Sequence, residues 1–283
     1  MTLADEGSWS RDRLDADYTA RLTCTEAEFL QIIGQYDALS ASAKTLPGTR
    51  IGVPYDPHSQ ETLDLYGTTP GTLRPCFVFI HGGYWRALSK DKSAFMAPML
   101  SARGIACAVP DYTLAPAVSM TEIVRQCRTA LAYLWQNAES LGIDRARIVV
   151  GGSSAGGHLA AAIASPGWQA GMHLPDQPLK GALPVSGLFE LAPIAGSHVQ
   201  DWMNLAAGEI DAYSPLRHLP SLPFPCTVAL AQGETPGFHR QSAAYAAALG
   251  APVLTVPGRN HFDVILDWTD PNSDLSKALF ALF

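Results

Sequence analysis

The sequence predicts an α/β architecture: a mostly parallel, doubly wound sheet flanked by helices, with a small cap insertion. Three observations predict it. Six short runs are apolar on both faces, as strands of a sheet covered by helices must be. Between them lie stretches whose apolar residues recur every three or four positions. And 47% of the 283 residues are hydrophobic while only 16% are charged, enough apolar material for a large core and too little charge for disorder. Length alone suggests about two domains of roughly 150 residues, but α/β folds often run longer as one, so a single domain over 1–283 is expected.

The elements follow in order. Met1 to Asp17 is polar and acidic with no apolar segment of a secretion signal, and residues 1–50 form an N-terminal helical extension. Within it, Phe29, Ile32, Ile33, Tyr36 and Leu39 give Thr25 to Lys44 the spacing of an amphipathic helix ending before Pro47-Gly48. Thr62 to Tyr66 alternates Leu63 and Leu65 with Thr62 and Asp64, which predicts an edge strand with one covered face. Cys76–Ile80, Ile105–Val109, Ile148–Val150, Ala182–Val185, Thr227–Leu230 and Val253–Val256 read as central parallel strands. The clearest connecting helix is Val118 to Ala138, with Ile123, Val124, Cys127, Leu131, Leu134 and Trp135 on one face. Leu188 to Leu222 breaks the alternation with mixed polarity and is the natural cap.

A sheet of this kind binds ligands at the carboxyl ends of its strands. Gly152-Ser153-Ser154-Ala155-Gly156 stands there, after the apolar Ile148–Val150 and before an Ala-rich helix. That is GxSxG in the strand-turn-helix setting where the turn strains the serine and lifts its Oγ above the sheet, so Ser154 is the candidate nucleophile and Ser153 is not. Taken alone, such a turn also serves as a plain connector or a phosphate cradle. His81-Gly82-Gly83-Tyr84-Trp85 follows another buried strand, and its glycines let backbone N–H groups face a developing alkoxide. Gly82, Gly83 and Ala155 are the candidate oxyanion donors.

His261, on the loop after the last strand, is the candidate general base. His81, His158 and His239 are competitors, but His81 and His158 lie inside the two motifs, where structural hydrogen bonding suits them better. In the order serine, acid, histidine, the acid should end the penultimate strand. Glu234 stands there, the only acidic residue between Asp211 and Asp263 and 27 positions (261 − 234) before the histidine. Asp211 and Asp263 are the alternatives. These placements imply attack of Ser154 on a carbonyl, an acyl enzyme and its hydrolysis by water, with no metal or organic cofactor.

His81-Gly82-Gly83-Tyr84-Trp85, Ser154 to Leu159, Val185 to Leu191, Ser214-Pro215-Leu216 and Glu234 through Phe238-His239-Arg240-Gln241-Ser242 resemble the kynurenine formamidase (arylformamidase) group, in the esterase/lipase branch of the α/β-hydrolase fold. The resemblance covers most of the chain and implies hydrolysis of an N-formyl arylamine such as N-formylkynurenine. Two positions depart from the pattern. Gly237 stands where members often carry an acidic residue, and Pro54-Tyr55-Asp56 replaces a more usual Tyr-Gly. Tyr84, Trp85, Phe189 and Trp202 are candidates to line an aryl pocket.

A general short-chain carboxylesterase needs the same parts and is the alternative; a non-catalytic binding protein on the same scaffold would be expected to lack the serine or histidine. The eight histidines include no HExxH, which argues against a metallohydrolase. Net charge is −7 with Lys and Arg scattered, so no nucleic-acid partner is expected. No run approaches the roughly 18 apolar residues of a membrane span, and a cytoplasmic location follows as the expectation. The partner foreseen is a small-molecule substrate, with a homodimer left open. Five widely spaced cysteines read as reduced packing residues.

Overall fold

Successive side chains of a strand face opposite ways, and this alternation divides the strand residues between two cores. Cys76, Val78 and Ile80 join one, with Ala106, Ala108, Ile148 and Val150. Phe77 and Phe79 join the other, with Cys107, Val109, Val149, Leu183 and Val185. The computed structural model describes residues 2–283, in which the strands are β1 (Arg50–Pro54), β2 (Thr62–Tyr66), β3 (Arg74–Ile80), β4 (Ala106–Pro110), β5 (Ile143–Ser153), β6 (Gly181–Val185), β7 (Val228–Ala231) and β8 (Val253–Val256). They form one sheet in the order β1-β2-β4-β3-β5-β6-β7-β8. β2 is antiparallel to both neighbours, and every pairing from β4 to β8 is parallel.

Two strand expectations are corrected. β2 is not an edge strand, because Arg50–Pro54, which carries little apolar signal, pairs outside it. Its polar alternation marks a buried network instead: Asp64 is fully buried and accepts from the Gly52 N–H (2.8 Å) and the Tyr66 hydroxyl (3.0 Å), with Lys90 Nζ at 3.3 Å. β8 is not central. It pairs only with β7, and Val253 is 46% exposed because no further strand covers it.

On the first face lie the helices Met120–Gln136, Ala155–Ala164 and Pro236–Leu249; Glu26–Ala43, Ala97–Ala102 and Asp274–Phe280 cover the second. The polar N-terminus also folds. Arg11–Tyr18 is helical and buries Leu14 and Tyr18 in the first core, while Arg240 bridges Glu6 (2.7 Å) and Asp17 (2.5 Å). Glu26–Ala43 is opened by a capping box in which the Thr25 hydroxyl accepts from the Glu28 N–H and Glu28 accepts from the Thr25 N–H.

Residues 188–222 form short helical turns at Ala192–Ala195, Gln200–Met203, Ala207–Ala212 and Pro215–Arg217. They sink Leu188, Phe189, Leu191, Ile194 and Val199 fully into the first core. None of the described helices is long and apolar enough to cross a membrane. All five cysteines are free thiols.

Candidate active site

β5 runs into the helix Ala155–Ala164 through Ser154, whose φ of 59° and ψ of −119° lie where an L-residue is rarely found. The bend is held from both sides: the Ser154 N–H donates to the Val185 carbonyl (2.9 Å) and the His158 N–H to the Ser154 carbonyl (3.0 Å). It also needs a bare backbone beside it. A Cβ on Gly156 would lie 2.0 Å from the Ile80 carbonyl oxygen, so the segment after Ser154 packs directly against the end of β3.

That end of β3 is the His81–Gly83 loop. Gly83 has φ +96°, and Tyr84, Trp85 and Leu88 also have positive φ, an unusual density of strained residues held by the surroundings. Among the described residues, the N–H groups of Gly82, Gly83 and Ala155 donate to no protein acceptor. His81 braces the loop. Its Nδ1–H donates to the Gly82 carbonyl (2.9 Å), its ring stacks on Tyr112 at 4.2 Å, and the Tyr112 hydroxyl donates to the His81 carbonyl (3.1 Å). Burial pushes the His81 imidazole down to about 4. His158, likewise lowered to about 4 by burial, uses Nε2 against the Tyr213 carbonyl (2.8 Å). Both histidines are neutral structural groups, in agreement with their place inside the motifs.

Glu234, three residues past β7, and His261, five past β8, meet at the same rim: His261 Nδ1 lies 2.8 Å from Glu234 Oε2. Both are buried. The other carboxylate oxygen, Oε1, accepts from the hydroxyl of Ser186. Ser186 follows β6 and has φ 48°, so a third strand end is bent to reach the acid. Ser186 lies in the Val185 to Leu191 segment with no role assigned to it from sequence, although its position just past a strand is the same signal that marks the other residues. Asp211 pairs with Arg217 (3.0 Å), and Asp263 accepts from the Asn260 N–H (2.6 Å); neither bonds His261.

Ser154 and His261 line one cavity of about 290 Å³, together with Gly82 and Gly83. No hydrogen bond joins Ser154 Oγ to His261 among the described residues. The cavity walls are largely aromatic and apolar, from Phe29, Ile33, Tyr36, Tyr84, Trp202, Phe262 and Ile265. Of the four candidate pocket aromatics, Tyr84 and Trp202 line this cavity. Trp85 and Phe189 do not, and this is a correction. Both are fully buried, Trp85 edge-on to His158 (5.2 Å) and Phe189 stacked on Tyr245 (4.1 Å), because the positive φ at Trp85 and the burial of 188–191 turn them into the core.

The N-terminal walls carry no motif and were missed. Nothing in a 3.6-residue period says which tertiary neighbour a helix face will meet. The two departures also have structural explanations. A Cβ at Gly237 would fall 2.6 Å from the Asp17 carbonyl oxygen and 2.6 Å from the Tyr18 ring, so glycine there lets Arg11–Tyr18 close on the helix behind Glu234. Asp56 is buried and bonded by Arg125 (2.6 Å). Neither residue lines the cavity.

Comparison with known proteins agrees with this architecture. A family model described as BD-FAE matches residues 63–174. Kynurenine formamidase of Salmo salar is 32% identical, covering 85% of this chain and 84% of that protein, and kynurenine formamidase of Danio rerio is 30% identical, covering 99% of each. Among solved structures, a provisionally assigned thioesterase from Silicibacter sp. TM1040 superposes with a TM-score of 0.79 at 27% identity, covering 94% of this chain and 98% of the other. An esterase from Pyrobaculum calidifontis shares the fold with a TM-score of 0.74 at 17% identity, covering 96% of each. A strained serine elbow, a glycine loop beside it and near-complete coverage by these relatives lead to one conclusion: the chain belongs to the kynurenine formamidase family and is a serine hydrolase of the α/β-hydrolase fold.

Proposed function

We propose that the protein hydrolyses the amide bond of an N-formyl arylamine, N-formylkynurenine or a close analogue, with Ser154 as nucleophile, His261 as base and Glu234 as the orienting acid. The observation that carries the catalytic assignment is the 2.8 Å contact of His261 Nδ1 with Glu234 at the cavity that Ser154 lines. An ionised carboxylate can only accept, so Nδ1 holds the proton and Nε2 is left as the basic nitrogen.

Ser154 Oγ attacks the formyl carbon while Nε2 takes the hydroxyl proton. The oxyanion forms among the free N–H groups of Gly82, Gly83 and Ala155, each such donor being worth about 3 kcal/mol in the transition state. His261 returns its proton to the amine nitrogen as the C–N bond breaks, and the arylamine leaves. Water, deprotonated by the same imidazole, then attacks the formyl ester; Ser154 departs with the proton and formate is released.

The substrate class rests on the formamidase relatives and on the cavity. Its volume of about 290 Å³ is at the small end of small-molecule sites, which run from roughly 300 to 1,000 Å³. Rings from five aromatic residues suit an aryl leaving group. A general short-chain carboxylesterase is the second reading, supported by relatives such as esterase LipQ of Mycobacterium tuberculosis, 28% identical over 52% of this chain. Purified protein given N-formylkynurenine should release formate and kynurenine in equal amounts. Turnover of p-nitrophenyl acetate without turnover of any formanilide would replace the formamidase reading by the esterase one.

A further inference from the structure

The chain carries a formal charge of −7, yet no Asp or Glu lines the cavity of Ser154, while Arg21, Arg86, His198 and His261 do. Three of these four are already engaged. Arg21 pairs with Glu26, His198 Nδ1 lies 3.2 Å from Asp15, and His261 is bonded to Glu234. Arg86 makes no ion pair or side-chain hydrogen bond with any described residue, and a guanidinium stays charged at all ordinary pH values.

Nor is Arg86 placed at random. Its Cζ lies 3.6 Å from the centroid of the Trp202 ring, which is itself pinned by a bond from Trp202 Nε1 to the Tyr84 carbonyl (3.1 Å). Stacking against an aromatic face uses the flat surface of the guanidinium and leaves its edge of N–H donors open for a planar, two-oxygen acceptor. The Arg86 N–H donates to the Gly83 carbonyl (3.0 Å), so a single tight turn separates this cation from the oxyanion loop, with Cα atoms under about 7 Å apart. An anion held by Arg86 and a carbonyl held at Gly83 therefore fit within one small molecule.

We propose that Arg86, propped on Trp202, is the specificity-determining residue of this site and binds a carboxylate on the leaving-group side of the substrate. The inference rests on the reading of Ser154 and His261 as the reacting centre, and it names the substrate class as aryl compounds bearing a carboxylate a few bonds from the ring.

Two matched pairs test it: 4-(2-formamidophenyl)-4-oxobutanoate against its primary amide, and 3-(2-acetoxyphenyl)propanoate against its primary amide. The readout is the ratio of kcat/KM for the acid over the amide, which cancels any loss of active protein. Wild type should favour the acids, and 0.5 M salt should erode the preference by screening. Arg86→Gln should lower the ratio at least tenfold through KM, and Arg86→Lys should restore part of it. A ratio within twofold of wild type in Arg86→Gln, or no acid preference in wild type, overturns the assignment. Failure of the formamidase reading looks different: the formanilides would not react, while the aryl acetates would still report the charge preference and its dependence on Arg86.

Discussion

The strand ends that carry Ser154, Glu234 and His261 and the N-terminal segment that carries Phe29, Ile33 and Tyr36 face each other across one cavity, held by different forces. At the rim, positions are set by the backbone: strand pairing continues to Ser153, strained φ values bend Ser154 and Ser186, and a carbonyl 2.0 Å from a would-be Cβ forces glycine at 156. The N-terminal wall is tied by side chains reaching across more than 200 residues. Arg240 binds Glu6 and Asp17, the Thr235 hydroxyl donates to the Asp17 carbonyl, and the Tyr36 hydroxyl donates to the Phe262 carbonyl. Backbone placement suits groups whose position must be kept within a fraction of an ångström, whereas a wall tied by a few long side chains can be reshaped to fit another substrate.

The contrast predicts that rim changes act on kcat and wall changes on KM and stability. Ser154→Ala should remove the proposed nucleophile and lower kcat by about 10⁵-fold or more, with loss of fluorophosphonate labelling seen by mass spectrometry. Glu234→Gln keeps the shape but lets the amide donate to Nδ1, favouring the wrong imidazole tautomer; kcat should fall by about 10⁴-fold with KM within a fewfold of wild type. If instead Asp211→Asn or Asp263→Asn gave the larger fall, the acid would be misassigned.

Arg240→Ala tests the wall. It leaves Glu6 buried without its partner and should cost roughly 2 kcal/mol in urea unfolding, the tie being partly solvent-exposed. KM should rise severalfold and kcat change less, and a kcat effect as large as that of Glu234→Gln would erase the distinction between the regions. Ser186→Ala should be the mildest rim change, lowering kcat about tenfold for one lost bond to a charged acceptor.

Acid should loosen the rim from beneath. His81 and His158 are held near 4 by burial, below the ordinary value near 6.5 of the unfolded chain, so the unfolded state binds protons first. Stability should therefore fall from about pH 6.5 down to about pH 4 and then stop responding to these two groups. Asp111, pushed up to about 6 by burial, works the other way over about pH 6 to 4, and as one group against two it moderates the loss. Urea midpoints across this range should show a net fall, and His158→Gln should flatten it.

The rim was legible because each of its residues follows a short apolar strand and sits in a turn with its own local signature. Ser154 lies between glycines, His81-Gly82-Gly83 follows Ile80, and Glu234 and His261 each sit on the loop after a strand. Strand order was not legible in the same way. β2 and β8 exchanged the central and edge places expected of them, since a five-residue stretch does not record its neighbours. Asp64 in β2 reads as a solvent-facing residue until Gly52, Tyr66 and Lys90 are brought to it. Trp85 and Phe189 read as pocket aromatics because hydrophobicity does not tell a cavity wall from a core.

By itself the sequence determined the alternation of strand and helix, the elbow and the placing of Ser154, Glu234 and His261 just past strands, since these depend on φ preferences and on apolar periodicity within a few residues. Only the tertiary structure decided which aromatics face the cavity, that Ser186 backs Glu234, and that the N-terminal helices supply a wall. Such contacts join residues up to 234 positions apart, as Glu6 and Arg240 are, and no local pattern encodes the partner that folding will bring.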